Sequence, residues 1–327
     1  MRYSLALALA SLLLVSAPMA AQARVEIKIA TVAPRGSMWM RLFNKMKARI
    51  LKATKGEVKI RYYPGQVQGD ERDVVRKMRT GQLHGGAFTA IGLGLINPKV
   101  LILQMPMMFK DTAQLDRVRD KLAADFEKTF NDKGYILLGW GEVGPVYFFS
   151  KVKVTSLAGL RERKVWAWSD DPVAKTTLRK LGVKPRLLGL PQVLPSLNTG
   201  IVDTVYNSPL GLLALQWHSK VKYMGAEPYA IGIGATVVTK KAWSKLSAEQ
   251  QKVVMKISRR YHRAMIKRVR RDNERALKAL LGNFGIKKVP LPAGDMKVFR
   301  KAAKKVRKAF VPRYYSKGLL DKVLSTL

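Results

Sequence analysis

The 327-residue chain contains no cysteine. That excludes a disulfide scaffold and a lipid-anchored amino-terminal cysteine. Acidic side chains are scarce, 22 against 61 lysines and arginines, for a net charge of +39. There are only three histidines, His84, His218 and His262. They lie far apart, with no second His or carboxylate at ligand spacing, so each reads as a surface or satisfied core residue and no metal site is expected. A glycine-rich phosphate loop, a nucleophile elbow and paired catalytic carboxylates are also missing, which argues against an enzyme and gives no sign of a cofactor. No apolar run reaches the ~20 residues that span a bilayer.

The first 23 residues read as a secretory signal: Arg2, an apolar run from Leu5 to Val15, then the small-residue site Ala21-Gln22-Ala23 with cleavage expected after Ala23. Removing them takes away one arginine and leaves +38. The reading is a protein exported to the periplasm. With 47% hydrophobic residues the remainder is globular and long enough for two domains of ~150 residues. The charge excess speaks of surroundings rather than fold: an anionic membrane face, nucleic acid, an acidic partner protein or an acidic medium. Basic residues crowd Lys241 to Lys308, as either a docking face or a solvated helix face. Few aromatics are interleaved with them, and together with the export signal this argues against nucleic acid.

The pattern of elements is α/β. Val25–Val32 alternates as a strand, Trp39–Ala53 has apolar positions at helical spacing, and Val58–Tyr63 is a second strand closed by Pro64-Gly65. Further along, strand, helix, strand, helix, strand follow from Val165 to Tyr206. Asp171-Pro172 opens the first of these helices and Gly182 closes it. Such crossovers give parallel strands, and ligands bind at the carboxyl ends of strands in open sheets. Trp140, Tyr147, Trp166, Trp168 and Tyr206 all stand at or just past predicted strand ends. Core packing claims most aromatics, yet this placement points Trp166 and Tyr206 at a cleft. Separate strands at Tyr135–Trp140 and Val146–Ser150, with Tyr229–Thr239 crossing back, provide the hinge of two domains. Ser247 and Gln250 form a capping box for a long helix with an apolar stripe at Val254, Ile257, Tyr261, Met265 and Val269, ending near Gly282.

The run T-S-L-x-x-L-x-x-x-K-V from Thr155 to Val165, then L-G-V-x-P at 181–185, a Leu190-Pro191 to Gly200 turn and Ile201-Val202-Asp203 leading to Asn207, resembles the solute-binding proteins of tripartite ATP-independent periplasmic (TRAP) transporters, the DctP-like family. Pro64 to Glu71 (P-G-Q-x-x-G-D-E), Gly81 to Phe88, with His84 where the family usually has an acid, and Leu103 to Phe109 agree with it. The resemblance implies a two-domain flytrap fold with hinge strands and a long helix bracing both domains. The division is expected at 24–145 with 231–270, and 146–230 with 271–327. The partners it implies are a small-molecule ligand and TRAP membrane subunits.

It also implies an organic acid held bidentately by an arginine in the K-[IV]-R strand. Here that position is Trp166, and a second family cation falls at about Val146. A buried carboxylate without a partner costs several kcal/mol, so a more hydrophobic ligand is expected: aromatic, alicyclic or lipid-like. The expected ligand-binding set is Trp166, Trp168, Tyr206, Asn207, Tyr147, Val146, Glu142, Trp140, Gln104 and Phe88. Asn207, Gln104 and Glu142 are its polar anchors, Glu142 for a ligand amine, and Trp166 is read as a half-exposed wall. The rival reading is a basic docking protein of the envelope on the same fold, with its cleft filled by its own aromatics.

Overall fold

The computed structural model describes residues 24–327, so the expected signal and its cleavage after Ala23 lie outside the described residues. Ten strands are described: β1 (Val25–Thr31), β2 (Val58–Tyr63), β3 (Gly85–Thr89), β4 (Tyr135–Ser150), β5 (Trp166–Trp168), β6 (Arg186–Leu188), β7 (Thr204–Asn207), β8 (Tyr223–Gly225), β9 (Ala230–Thr239) and β10 (Lys287–Val289). Eight of them form one curled sheet in the order β10-β8-β4-β9-β3-β1-β2, with β7 also on β4. β1 pairs in parallel with β2 and β3, as the opening βαβ pattern requires. β5 and β6 are parallel, and Val165 bridges to Thr204 in parallel, so the strand-helix-strand succession around Trp166 folds as its pattern reads.

β4 and β9 pair antiparallel along ten residue pairs from Tyr135↔Thr239 to Val146↔Ala230. Beyond Val146, β4 leaves β9 and pairs with β7 and β8. The two strands expected at Tyr135–Trp140 and Val146–Ser150 are therefore one strand of 16 residues. Gly141, Gly144 and Pro145 lie between the two expected strands. In the structure the irregularity is absorbed by register shifts at Leu137/Gly139 and Glu142/Gly144, where an extra residue bends the strand without ending it.

Helix starts follow their caps. Ser37 accepts from Met40 N at the head of helix Met38–Ala53, Asp70 and Asp73 form a capping box on helix Glu71–Arg79, and Ser247 with Gln250 does so for helix Ala248–Gly282. Gly182, at φ +80°, ends the chain's turn after Pro172–Lys180 in a conformation that side chains with a Cβ rarely adopt.

The long helix has 35 residues, a rod of ~52 Å. Val254, Met265 and Val269 pack with Phe43 and Met46 against the β1-β2 side, while Leu280 joins the cluster around Trp166, Val205 and Trp217. It therefore braces both cores. Its buried stripe runs through Val254, Ser258, His262, Met265 and Val269, whereas Ile257 and Tyr261 are only half-buried. In the last helix, Lys317–Leu324, Leu320 and Val323 share a core with Leu115, Val118 and Phe126, and Lys322 Nζ bonds Asp125 at 2.7 Å.

Candidate functional site

A cavity of about 160 Å³ lies where β4 and β9 leave the first half of the sheet for the second. Its floor is the close-packed crossing itself, with Gly141, Gly232 and Gly234 on the wall. At Gly234 a side chain would meet Phe88 O at 2.7 Å, so the residue must be glycine for β3 and β9 to pair this closely. Helix Met38–Ala53 contributes Trp39 and Phe43, and the long helix His262 and Met265. From the other side come Trp166 and Trp168 of β5, and Tyr206 and Asn207 of β7.

The aromatic wall is a built object. Trp166 stacks on Tyr206 with ring centres 4.7 Å apart and meets Trp217 edge-on at 5.4 Å. Its indole Nε1 donates to Leu188 O at 3.1 Å. With 1% exposure, Trp166 is a core residue with one edge at the cavity, which corrects the expectation of a half-exposed wall. Tyr206 hydroxyl accepts from Trp168 N at 3.2 Å and donates to Asp171 Oδ2 at 2.9 Å. Burial pushes the Asp171 carboxyl up, against the bonds from Ala174 N and Tyr206. It pushes the Tyr206 phenol up as well, helped by the Asp171 charge. The pair therefore stays a phenol donating to a carboxyl group.

Trp168 Nε1 crosses the cleft to Asp70 Oδ2 at 2.8 Å, and Leu190 N reaches the same oxygen at 2.9 Å. Beside them Arg72 pairs with Asp170. One capping carboxylate on the first half of the molecule thus ties down two groups on the second.

Of the ten residues expected to bind ligand, the structure brings Phe88, Gln104, Glu142, Val146, Trp166, Trp168, Tyr206 and Asn207 to the cavity, but not Tyr147 or Trp140. Tyr147 follows Val146 on β4, and in a strand the next side chain points to the opposite face; its ring packs edge-on to Phe149. Trp140 packs edge-on to Phe126 at 5.5 Å and near Phe130, behind the sheet. Glu142 cannot anchor a ligand amine, because its fully buried carboxylate is taken by Arg119 Nη1 at 3.1 Å and Arg270 Nε at 2.9 Å. Asp116 closes this cluster with a two-pronged bond to Arg270. Burial raises the Asp116 carboxyl, but the bonds and charges of Arg270 and Arg119 prevail and hold it low.

Sequence reasoning missed Trp39, Phe43, Thr236, His262 and Met265 as cavity residues. His262 is a satisfied core histidine, as expected, but one on the cavity wall. Its Nδ1 lies 2.8 Å from Ser258 O, which can only accept, so Nδ1 carries the proton and Nε2 accepts from Thr236 hydroxyl at 2.8 Å. Burial lowers its pKa to about 4, so it adds no positive charge at neutral pH. Among the described residues, no lysine or arginine lines the cavity. In a chain of net charge +39, that is the defining property of the site.

Two α/β halves joined by paired crossing strands, braced by one long helix and with a cavity at the crossing, make up the two-domain fold seen in solute-binding proteins. The sequence pattern of the DctP family, bacterial extracellular solute-binding protein family 7, matches residues 29–313, and the chain belongs to that family. It is 21% identical over 308 residues to the sialic acid-binding periplasmic protein SiaP of Vibrio cholerae, covering 92% of each. The protein YiiZ of Salmonella typhimurium is 25% identical over 207 residues, and the match spans 62% of either chain, about three fifths of that relative's length. A TRAP periplasmic solute-binding protein of Haemophilus influenzae with bound L-gulonate superposes with a TM-score of 0.86, covering 93% of this chain and 100% of that one at 18% identity. DctP7 of Bordetella pertussis, a receptor binding pyroglutamic acid, gives 0.85 over 92% and 99% at 17% identity.

Proposed function

We propose that this chain is the periplasmic receptor of a TRAP-type secondary transporter, not an enzyme, and that it captures a ligand more hydrophobic than a small carboxylate. What carries the reading is the absence of any lysine or arginine among the described cavity residues, with Trp166 and Val146 at the two places where the family resemblance implies cations. An unpaired carboxylate there costs several kcal/mol, whereas flat apolar walls favour an aromatic or alicyclic body. Gln104 and Asn207 supply polar handles for a neutral oxygen or nitrogen on the ligand. That a cavity remains beside Trp166 and Tyr206, in place of a packed seam, supports capture over the docking-only alternative.

The ligand is enclosed when two lobes close about β4 and β9. We take the lobes as 24–145 with 231–270 and 146–230 with 271–306, and assign 307–327 to the first because its last helix packs there. Export with cleavage after Ala23 places the receptor in the periplasm, and amino-terminal sequencing of the mature protein checks this.

The decisive experiment is thermal denaturation with a ligand panel, preceded by native mass spectrometry of the purified protein for a co-purified molecule. Succinate, malate and sialic acid are expected to leave the melting temperature unchanged. An apolar or aromatic ligand at 100 times its Kd adds ~2.7 kcal/mol of stability and raises it visibly. Tight binding of a small dicarboxylate overturns the reading.

A further inference from the structure

We infer that the outer face of helices Met38–Ala53 and Ala248–Gly282 is a docking surface for an anionic lipid bilayer. The two helices pack side by side, and their inner faces carry Phe43, His262 and Met265 to the ligand cavity. Their outer faces are cationic. In these elements of 16 and 35 residues, sixteen lysines and arginines stand against three acids, a net +13, which is about twice the charge density of the whole chain. Nine basic residues between Lys252 and Lys278 are exposed, with Glu274 the one exposed acid among them. Their spacing of three and four puts them on one side of the rod, so the stripe extends over ~39 Å. Arg41, Lys45, Arg49 and Lys52 make a second exposed stripe on the shorter helix, which contains no acid.

Like charges four apart on a helix destabilise it by a few tenths of a kcal/mol per pair. Arg259, Arg263, Lys267, Arg271 and Arg275 are an unbroken series of such pairs. Among the described residues only its ends find acids: Glu127 bonds Arg259 at 3.0 Å and Asp272 lies 3.8 Å from Arg275. Between the two stripes runs a groove with Val253, Ile257, Tyr261 and Ala264 along its floor and Arg49, Lys256 and Arg260 at its rims. A straight, double-striped face matches a plane of negative charge better than it matches a compact acidic pocket. The apolar strip between cationic rims suits the boundary between head groups and acyl chains. The occupant this chemistry selects is an anionic bilayer.

The experiment is co-sedimentation with phosphatidylcholine vesicles, with and without 30% phosphatidylglycerol. It compares wild type with Arg263→Glu/Lys267→Glu/Arg271→Glu and with a control of equal net charge, Arg179→Glu/Lys180→Glu/Lys184→Glu, whose three positions are exposed elsewhere. Wild type is expected to bind only the anionic vesicles and to release in 0.5 M salt, where charges are screened within a few Å. Each basic residue near such a surface is worth ~5-fold, so the long-helix variant loses on the order of a hundredfold or more in partitioning while the control stays near wild type. Circular dichroism confirms that both variants are folded. Equal losses in the two variants mean that net charge alone is responsible and overturn the proposal. So does failure of wild type to bind anionic vesicles at low salt, as does binding to soluble polyglutamate with no binding to vesicles, which points to an acidic protein partner.

Discussion

Replacing Trp166 by alanine tests whether the aromatic wall is structure or merely lining. The side chain is 1% exposed, stacks on Tyr206 at 4.7 Å and donates to Leu188 O. Truncating a buried Trp to Ala costs ~3–5 kcal/mol through lost transfer energy and the cavity left behind. Within that total the ring pair is worth ~0.5–1.5 kcal/mol and the hydrogen bond ~1 kcal/mol. Against a typical stability of ~5–15 kcal/mol, Trp166→Ala should remove about a fifth or more. Trp166→Phe keeps a ring over Tyr206 and should cost only ~1–2 kcal/mol, since the indole bond and part of the volume are lost. Urea unfolding followed by circular dichroism at 222 nm measures both without relying on the deleted fluorophore. If Trp166→Ala unfolds within 1 kcal/mol of wild type, the wall is pliant and the account of the site as an extension of the core is wrong.

Asp70→Asn leaves one acceptor oxygen where Oδ1 caps Glu71 N and Oδ2 holds Trp168 and Leu190. Asparagine caps as well as aspartate, so helix content should hold while the cross-cleft tie weakens by ~2 kcal/mol; small-angle scattering of the ligand-free protein should show a larger radius of gyration, and an unchanged profile would dismiss the tie. Glu142→Gln leaves Arg119 and Arg270 with only Asp116 and should lower stability by ~3 kcal/mol in thermal unfolding. His262 gives a pH dependence of definite sign. Its folded pKa of about 4 lies below the ordinary 6.5, so its contribution is complete above pH 6.5 and is lost as pH falls toward 4. Between pH 7 and pH 5 it should account for ~2 kcal/mol. His262→Gln, compared with wild type by urea unfolding at the two values, should show a drop smaller by that amount.

Much of this was legible because local signals and the fold agree. Asp171-Pro172, the Ser247–Gln250 box and the succession of strands and helices around Trp166 were read from single residues that have one good use each. The errors arose where a residue was placed by its nearness to a strand end, with no account of the face it occupies. A one-residue shift exchanges the faces of a strand, and β4 contains two such shifts, between Leu137 and Gly139 and between Glu142 and Gly144. Trp140 therefore faces Phe126 rather than the cavity. On the long helix the apolar letters Ile257 and Tyr261 drew the stripe one residue off, because the true buried face includes the polar Ser258 and His262. His262 belongs to the site only through its spacing to Met265 and Val269, which periodicity over apolar residues alone passes over. Glu142 was read as an anchor for a ligand amine because the two arginines that occupy it are 23 and 128 residues away in sequence.

The pairing of Trp166 with Trp168, 6.2 Å apart and inclined by 32°, has an optical consequence. Two indoles at that distance share their excited states, and their joint circular dichroism in the ultraviolet depends on how one ring is turned against the other. Trp166 is fixed from behind by Leu188 and Trp217, whereas Trp168 is held through Asp70 on the far side of the cleft. On the lobe closure proposed above, the first transition dipole is expected to stay fixed and the second to follow the gap. Near-ultraviolet circular dichroism with and without ligand would then read that closure without a label.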